Sequence, residues 1–267
     1  MAISIRKPGE VLTQKKPTGR SVVLYGPPLV GKTTTLGNDP NFRVCVIDLD
    51  KNTTTIEESD NVTIIGCDSV NDYLAVKEGV DTGFLTLGKE KLKMDFDGYA
   101  IDSFTTLEEK YKTWVATELV PNRQRELKGR FGAQSDWEDL QRNEVGEVRD
   151  WQRMTKREKN PINVIWIGHD MTLTNEMGQA YATQLMLQGK YAAPRIVSAV
   201  DAVFYMFKTE KDGKVHRGIF TQDRGIFKAD ARMPIDRRDD LKAVIYNPKW
   251  GEIFEAMGAE KQVTEEK

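Results

Sequence analysis

The stretch Ser21-Val-Val-Leu-Tyr25 runs without a break into Gly26-Pro-Pro-Leu-Val-Gly-Lys-Thr33, and that junction narrows what the chain can fold into. An uninterrupted apolar run followed at once by a glycine-bounded turn reads as a strand covered on both faces, the kind found in parallel sheets. The turn matches G-x-x-x-x-G-K-[ST], in which successive backbone N–H groups point inward at a helix start and can cradle a phosphate. In that pattern Gly26, Pro27, Pro28, Leu29, Val30, Gly31, Lys32, Thr33 and Thr34 surround the phosphates. Lys32 reaches the β and γ oxygens and the Thr33 hydroxyl ligates Mg²⁺. Nucleoside triphosphate binding is therefore the first expectation.

Bulk properties bound the rest. A chain of 267 residues with 39% hydrophobic and 30% charged residues suits one large soluble α/β domain. No apolar stretch has the length of a membrane span, and the N-terminal Met-Ala-Ile-Ser-Ile-Arg-Lys lacks an apolar core after its charges, so a cytoplasmic location and no membrane partner are expected. Two cysteines, Cys45 and Cys67, and two histidines, His169 and His216, make neither a disulfide framework nor a zinc site. A net charge of −2 argues against a uniformly basic surface but leaves room for a local basic patch.

Residues 1–19 read as an irregular lead-in with a short strand at Ala2–Ile5, residues 20–255 as one domain, and residues 256–267 as a partly disordered tail. Gly37 and Pro40 keep the helix after the loop short. Strands are expected at Arg43–Asp48, Val62–Ile65, Tyr99–Asp102 and Val164–Ile167, the last ending in Gly168-His-Asp170. Leu107, Tyr111, Trp114, Val115 and Leu119 fall on one helical face that Pro121 ends. Ser135-Asp-Trp-Glu138 has the form of a capping box opening a helix with Trp137, Leu140, Val148 and Trp151 inward. Ala202–Phe207 and Val215–Thr221 flank Asp212-Gly213, a hairpin signal. Early alternation and a late hairpin give a mainly parallel sheet flanked by helices, with an antiparallel edge.

A phosphate loop needs a second carboxylate at the tip of a neighbouring buried strand to hold hydrated Mg²⁺. Asp102, after Tyr99-Ala-Ile101, suits this, and Asp48 ends its own strand in the same way. One of Asp48 and Asp50 could orient or deprotonate an attacking water, and Asp50 is the candidate base. Strand-end aspartates also cap the turns that follow them. His169, at the end of a further strand, could bond the γ-phosphate or its water, or simply be structural.

The set Gly26–Thr33, Val46-Ile-Asp-Leu-Asp50, Ala100-Ile-Asp-Ser103 and Ile165-Trp-Ile-Gly-His169 resembles the RecA-like P-loop ATPase core. More narrowly it is similar to compact bacteriophage ATP-binding proteins of that superfamily, some of which act in single-strand annealing or recombination. The order of motifs matches over residues 20–230, with Asp102 lying 70 positions after Lys32. The resemblance implies ATP and Mg²⁺ as cofactors, Asp50 as catalytic base where relatives usually carry Glu, and His169 as sensor of the γ-phosphate. It further implies that Lys228-Ala-Asp-Ala-Arg232, with extra spacing, supplies Lys228 and Arg232 to a neighbouring subunit's nucleotide in a homo-oligomeric ring or filament. Leu29 departs from the glycine often found there. Single-stranded DNA would be held by residues 122–134, which carry Arg123, Arg125, Lys128, Arg130 and Phe131, and by residues 171–195, which carry Lys190, Tyr191 and Arg195. Charge neutralisation with base stacking is the mechanism such loops use. The other reading is a nucleotide-dependent switch or scaffold with a protein partner, its charge runs being solvated faces.

Overall fold

The computed structural model describes residues 18–119, 134–188, 191–233, 235–237 and 239–259. The expected strand at Ala2–Ile5, most of the 122–134 loop, Lys190 and the end of the tail lie outside them. Strand β1 (Ser21–Gly26) is buried at every position. Val22 and Leu24 pack on one face of the sheet while Val23 and Tyr25 pack on the other, which is why the run is apolar without alternation. A 3₁₀ helix at Thr33–Gly37 follows the loop, as short as Gly37 and Pro40 require.

Strands β2 (Val44–Asp48) and β3 (Val62–Gly66) precede helix α1 (Val70–Thr82) and a small separate hairpin, β4 (Phe84–Leu87) with β5 (Glu90–Lys93). Sequence reading left residues 70–97 without these elements. Yet α1 has its own signal: Ser69 and Asp72 form a reciprocal capping box, and Val70, Tyr73, Val76 and Val80 are buried at helical spacing. Strand β6 (Gly98–Asp102) leads into helix α2 (Phe104–Trp114), whose last turn widens into a π-helical segment, Val115–Leu119. Helix α3 is described over Gln134–Met154 and already includes Ser135, which corrects the expectation that Ser135 caps it.

Strand β7 (Asn163–Thr174) is longer than its apolar run. The expectation that it ends at Gly168-His-Asp170 is corrected: past His169 it continues and pairs antiparallel with β8 (Ala180–Leu185). That half is partly exposed, so the continuous apolar signal stops at Ile167 although the strand does not. Helix α4 (Ala192–Ala199) then precedes the hairpin of β9 (Ala202–Lys211) and β10 (Lys214–Phe220). Its turn residues Asp212 and Gly213 have φ of 53° and 70°, the positive values a two-residue hairpin turn demands. Strands β11 (Asp230–Ala231) and β12 (Val244–Tyr246) and helix α5 (Trp250–Ala256) complete the chain.

Among the described residues one sheet of ten strands runs β12-β10-β9-β1-β7-β6-β2-β3, with β11 on β9 and β8 on β7. The contacts from β9 through β1, β7, β6 and β2 to β3 are all parallel, and those of β10 with β9 and β12 are antiparallel. The chain thus has the mainly parallel central sheet, flanking helices and late antiparallel hairpin that its sequence predicts. One face is covered by α1, α2 and α3 through Tyr73, Tyr111 and Trp151, the last meeting Trp166 of β7; the other by the 3₁₀ helix and α5 through Leu36, Trp250 and Phe254. Cys45 and Cys67 are buried and free. No helix among the described residues is long and apolar enough to cross a membrane.

Candidate nucleotide-binding site

The parallel strands deliver their carboxyl ends to one rim of the sheet, where ligands of open α/β sheets bind. Gly26 ends β1 in register with His169 of β7, and Asp48 of β2 lies beside Asp102 of β6. The loop that leaves β1 is tightly held. A methyl placed on Gly26 would lie 2.5 Å from the Met206 carbonyl oxygen of β9, so no side chain fits at that crossing. Leu29 at the loop's tip has φ of 61° and is 92% exposed. That left-handed backbone explains why glycine suits the position, and open solvent explains why leucine is sterically tolerated.

Lys32 is only 6% exposed, and its Nζ donates to the carbonyl oxygens of Gly26 and Pro27, both at 2.8 Å. Burial pushes its ammonium down to about 8, against the opposing pull of Asp102, Asp170 and Asp50. The Thr33 hydroxyl donates to Asp102 Oδ2 at 2.6 Å. Desolvation at the sheet rim, helped by the negative charges of Asp50 and Asp48, raises the Asp102 carboxyl to about 6, while the Thr33 bond and Lys32 pull it down. Threonine oxygen and carboxylate side by side are the hard oxygen donors Mg²⁺ prefers, and such sites are usually completed by water and substrate phosphates rather than by more side chains. Accordingly, no group of three or more acidic, His or Cys side chains able to hold a metal occurs among the described residues.

Asp48 is placed differently from its expected role as a metal ligand. Its Oδ1 accepts the backbone N–H groups of Asp50 and Lys51 at 3.1 and 2.7 Å, and its Oδ2 accepts the Thr53 hydroxyl at 3.0 Å. With both oxygens engaged, it closes the turn that presents Asp50. Asp50 Oδ1 in turn accepts the hydroxyl of Ser103, which also caps α2 through the Thr106 N–H. One serine therefore ties the Asp50 turn to the strand that carries Asp102. His169 is held by its backbone N–H, which donates to Thr105 Oγ1 at 3.1 Å, while its Nδ1 is buried with no hydrogen-bond partner. Burial and the Lys32 charge depress its pKa, keeping the imidazole neutral; Asp50 and Asp170 act the other way.

The AAA domain family profile matches residues 18–233, four-fifths of the chain and the whole of this site. The chain belongs to the AAA domain family. No curated protein matches it by sequence. Among solved structures this AAA domain is similar to the RadB recombinase, with TM-score 0.45 and 14% identity over 86% of this chain and 87% of that one. It is also similar to the flagellar accessory protein FlaH from Methanocaldococcus jannaschii, with TM-score 0.42 and 10% identity over 86% and 85%. A KaiC-like protein from Pyrococcus horikoshii OT3 gives 0.39 and 12% over 80% and 84%.

Within this AAA domain the loop, Asp50, Asp102 and His169 converge, but Lys228 and Arg232 stand apart. Lys228 pairs with Asp223 at 2.8 Å and borders a cavity of about 710 Å³ shared with Tyr25 and Pro194. Arg232 donates to the Ser198 carbonyl at 2.7 Å. Both are exposed on their own chain. Of the second expected DNA segment, Tyr191 is exposed with the Arg195 guanidinium 5.9 Å from its ring centre, and Met177 and Tyr181 are also exposed. Sequence reading missed Ser103, Thr105 and Asp170, which act through hydrogen bonds or charge on residues it did find. It also missed Arg217 of β10, whose Nε donates to the Val30 carbonyl at 3.2 Å.

Proposed function

We propose that this AAA domain binds and hydrolyses ATP with Mg²⁺, as a single ATPase domain over residues 20–255. The observation that carries the proposal is the 2.6 Å bond between Thr33 and Asp102, which joins the phosphate loop to the acidic strand end where a Mg²⁺–triphosphate would sit. Backbone N–H groups of residues 29–34 bind the phosphates and Lys32 exchanges its loop carbonyls for phosphate oxygens, a stronger charge-assisted pairing. Thr33 and Asp102 would hold Mg²⁺, which neutralises charge on the β and γ oxygens. Asp50, oriented by Ser103, takes the proton of the attacking water, and neutral His169 lends its free imidazole nitrogen to the γ-phosphate or that water. Lys228 and Arg232 would serve the nucleotide of a neighbouring copy in a ring or filament, stabilising charge on the transferring phosphoryl group.

The partner we propose is single-stranded DNA, gripped by residues 122–134 and 171–195 in recombination, annealing or repair of the bacteriophage type. The exposed Tyr181, Tyr191 and Arg195 support this, as stacking and cationic groups are what sequence-independent strand binding uses. A second reading, a nucleotide-dependent switch with a protein partner, draws on Asp50 being a carbon shorter than the glutamate usual in RecA-like cores and tethered to Ser103. ATPase assays with and without single-stranded oligonucleotide separate the two. Stimulation supports the DNA reading. Slow turnover that DNA leaves unchanged, with no salt-sensitive binding, supports the switch. Lys32→Ala should abolish nucleotide binding, and Asp50→Asn should cut turnover while sparing binding; unchanged turnover in the latter would refute Asp50 as base.

A further inference from the structure

We propose that Arg217 is a phosphate-binding residue of the same chain, closing the loop from the side opposite Asp102 and His169; this rests on the nucleotide-binding reading above. In the sheet order β10-β9-β1-β7-β6, the catalytic candidates reach the loop from β7 and β6, while Arg217 reaches it across β9 from the other flank. Its position is set by the absence of a side chain on the loop. A methyl on Gly31 would stand 2.6 Å from Arg217 Nε, 2.8 Å from Cδ and 3.6 Å from Cζ. The guanidinium thus lies against the Gly31 backbone, in the space that glycine leaves. Nε is spent on the Val30 carbonyl at 3.2 Å, leaving the two terminal nitrogens for another acceptor. No carboxylate of the described residues forms an ion pair with it.

A guanidinium partly withdrawn from water against a loop of the phosphate-cradling pattern, with no carboxylate of the described residues paired to it, matches the fork geometry of a phosphate. Because the γ-phosphate faces Asp102, Asp50 and His169, Arg217 is assigned to the earlier phosphates, which ATP, ADP and pyrophosphate share. Its loss should weaken all three alike and raise KM while sparing kcat.

The test is direct titration of the full chain with ADP, a non-hydrolysable ATP analogue and inorganic pyrophosphate, for wild type, Arg217→Ala, Arg217→Gln and Arg217→Lys. Thermal unfolding without nucleotide reports the folded state. Arg217→Ala and Arg217→Gln should each lose roughly ten- to a hundred-fold in affinity for all three ligands, the worth of one charged hydrogen bond. Arg217→Lys, which keeps the charge but not the fork, should lose less, and it carries the test if the uncharged variants do not fold. Full affinity in Arg217→Gln, which retains a donor for Val30, overturns the proposal and leaves Arg217 as a loop brace. Loss of ADP affinity with pyrophosphate binding intact also overturns it, placing Arg217 on the nucleoside. If wild type binds none of the three, the nucleotide-binding reading itself fails; if it binds them and Arg217→Ala or Arg217→Lys binds equally well, only this inference does.

Discussion

Replacing Glu144 by glutamine should flatten the pH dependence of stability and strengthen the fold at alkaline pH. Glu144 of α3 is fully buried, and no N–H or O–H donor of the described residues reaches either of its oxygens. Beside it Glu108 of α2, also buried, accepts the backbone N–H of Gln188 at 2.6 Å. Burial and then the Glu108 charge raise the Glu144 pKa, and burial raises that of Glu108, with Lys112 the cation that opposes both shifts and Glu109 adding to that on Glu108. Two carboxyls so placed cannot both ionise, so the pair keeps one proton between them, on Glu144. In the unfolded chain both lose their protons near pH 4.3.

Above that value the native state therefore binds one proton more than the unfolded state, and stability falls as pH rises, by about 1.4 kcal/mol per unit, until the native pair ionises. The cost is absent below the unfolded carboxyl pKa and complete above the raised native one. Glutamine keeps the shape and supplies a permanent N–H for Glu108. Near pH 5 the two proteins should differ by about 1 kcal/mol or less, and at pH 8 the variant should lead by roughly 4–5 kcal/mol, between three and four pH units at that slope. Urea unfolding followed by tryptophan fluorescence at several pH values measures this, with equal m values showing that the same surface is exposed. Parallel curves of stability against pH for the two proteins would refute the shared proton.

Three further outcomes follow from the site. Because the Asp102 carboxyl is raised to about 6 and must be ionised to hold Mg²⁺, Mg²⁺-dependent nucleotide binding should fall as pH drops through that value. Asp102→Asn should abolish the Mg²⁺ dependence outright, which calorimetry with and without the metal would show. Lys32, depressed to about 8, loses its charge as pH rises, so triphosphate affinity should weaken above pH 8 unless the bound phosphates hold the proton; Lys32→Arg should remove that alkaline limb in the same titration. Gly26→Ala drives a methyl into the Met206 carbonyl at 2.5 Å and should destabilise the fold by about 1–3 kcal/mol, as overpacking does, visible as a lower urea midpoint.

Much of the site could be read before the fold was known, because each piece depended on a few adjacent residues. The phosphate loop, the short helix that Gly37 and Pro40 enforce, and the acidic end of β6 are all local. What escaped had its cause elsewhere in the chain. Helix α1 carried a capping box but few strongly apolar positions, since Tyr73 is buried by bonding Trp151 and Glu147. The second half of β7 exists because β8 returns to pair with it. Asp48 and Asp50 looked alike as strand-end acids, and only the turn through Lys51 and Thr53 separates the one that closes it from the one it presents.

The sequence by itself determined that a buried strand ends in a phosphate loop with a hydroxyl and an ammonium at its close, because that chemistry needs only the spacing of Gly26, Gly31, Lys32 and Thr33. Tertiary structure decided which distant groups meet that loop. Asp102 arrives from across an intervening strand and Arg217 from a hairpin some 190 residues later, 217 − 26 in the numbering; away from the loop, the packing of two helices brings Glu108 to Glu144 in the same way. Such meetings are set by strand order and by which face each helix buries, and neither quantity is carried by any short stretch of chain.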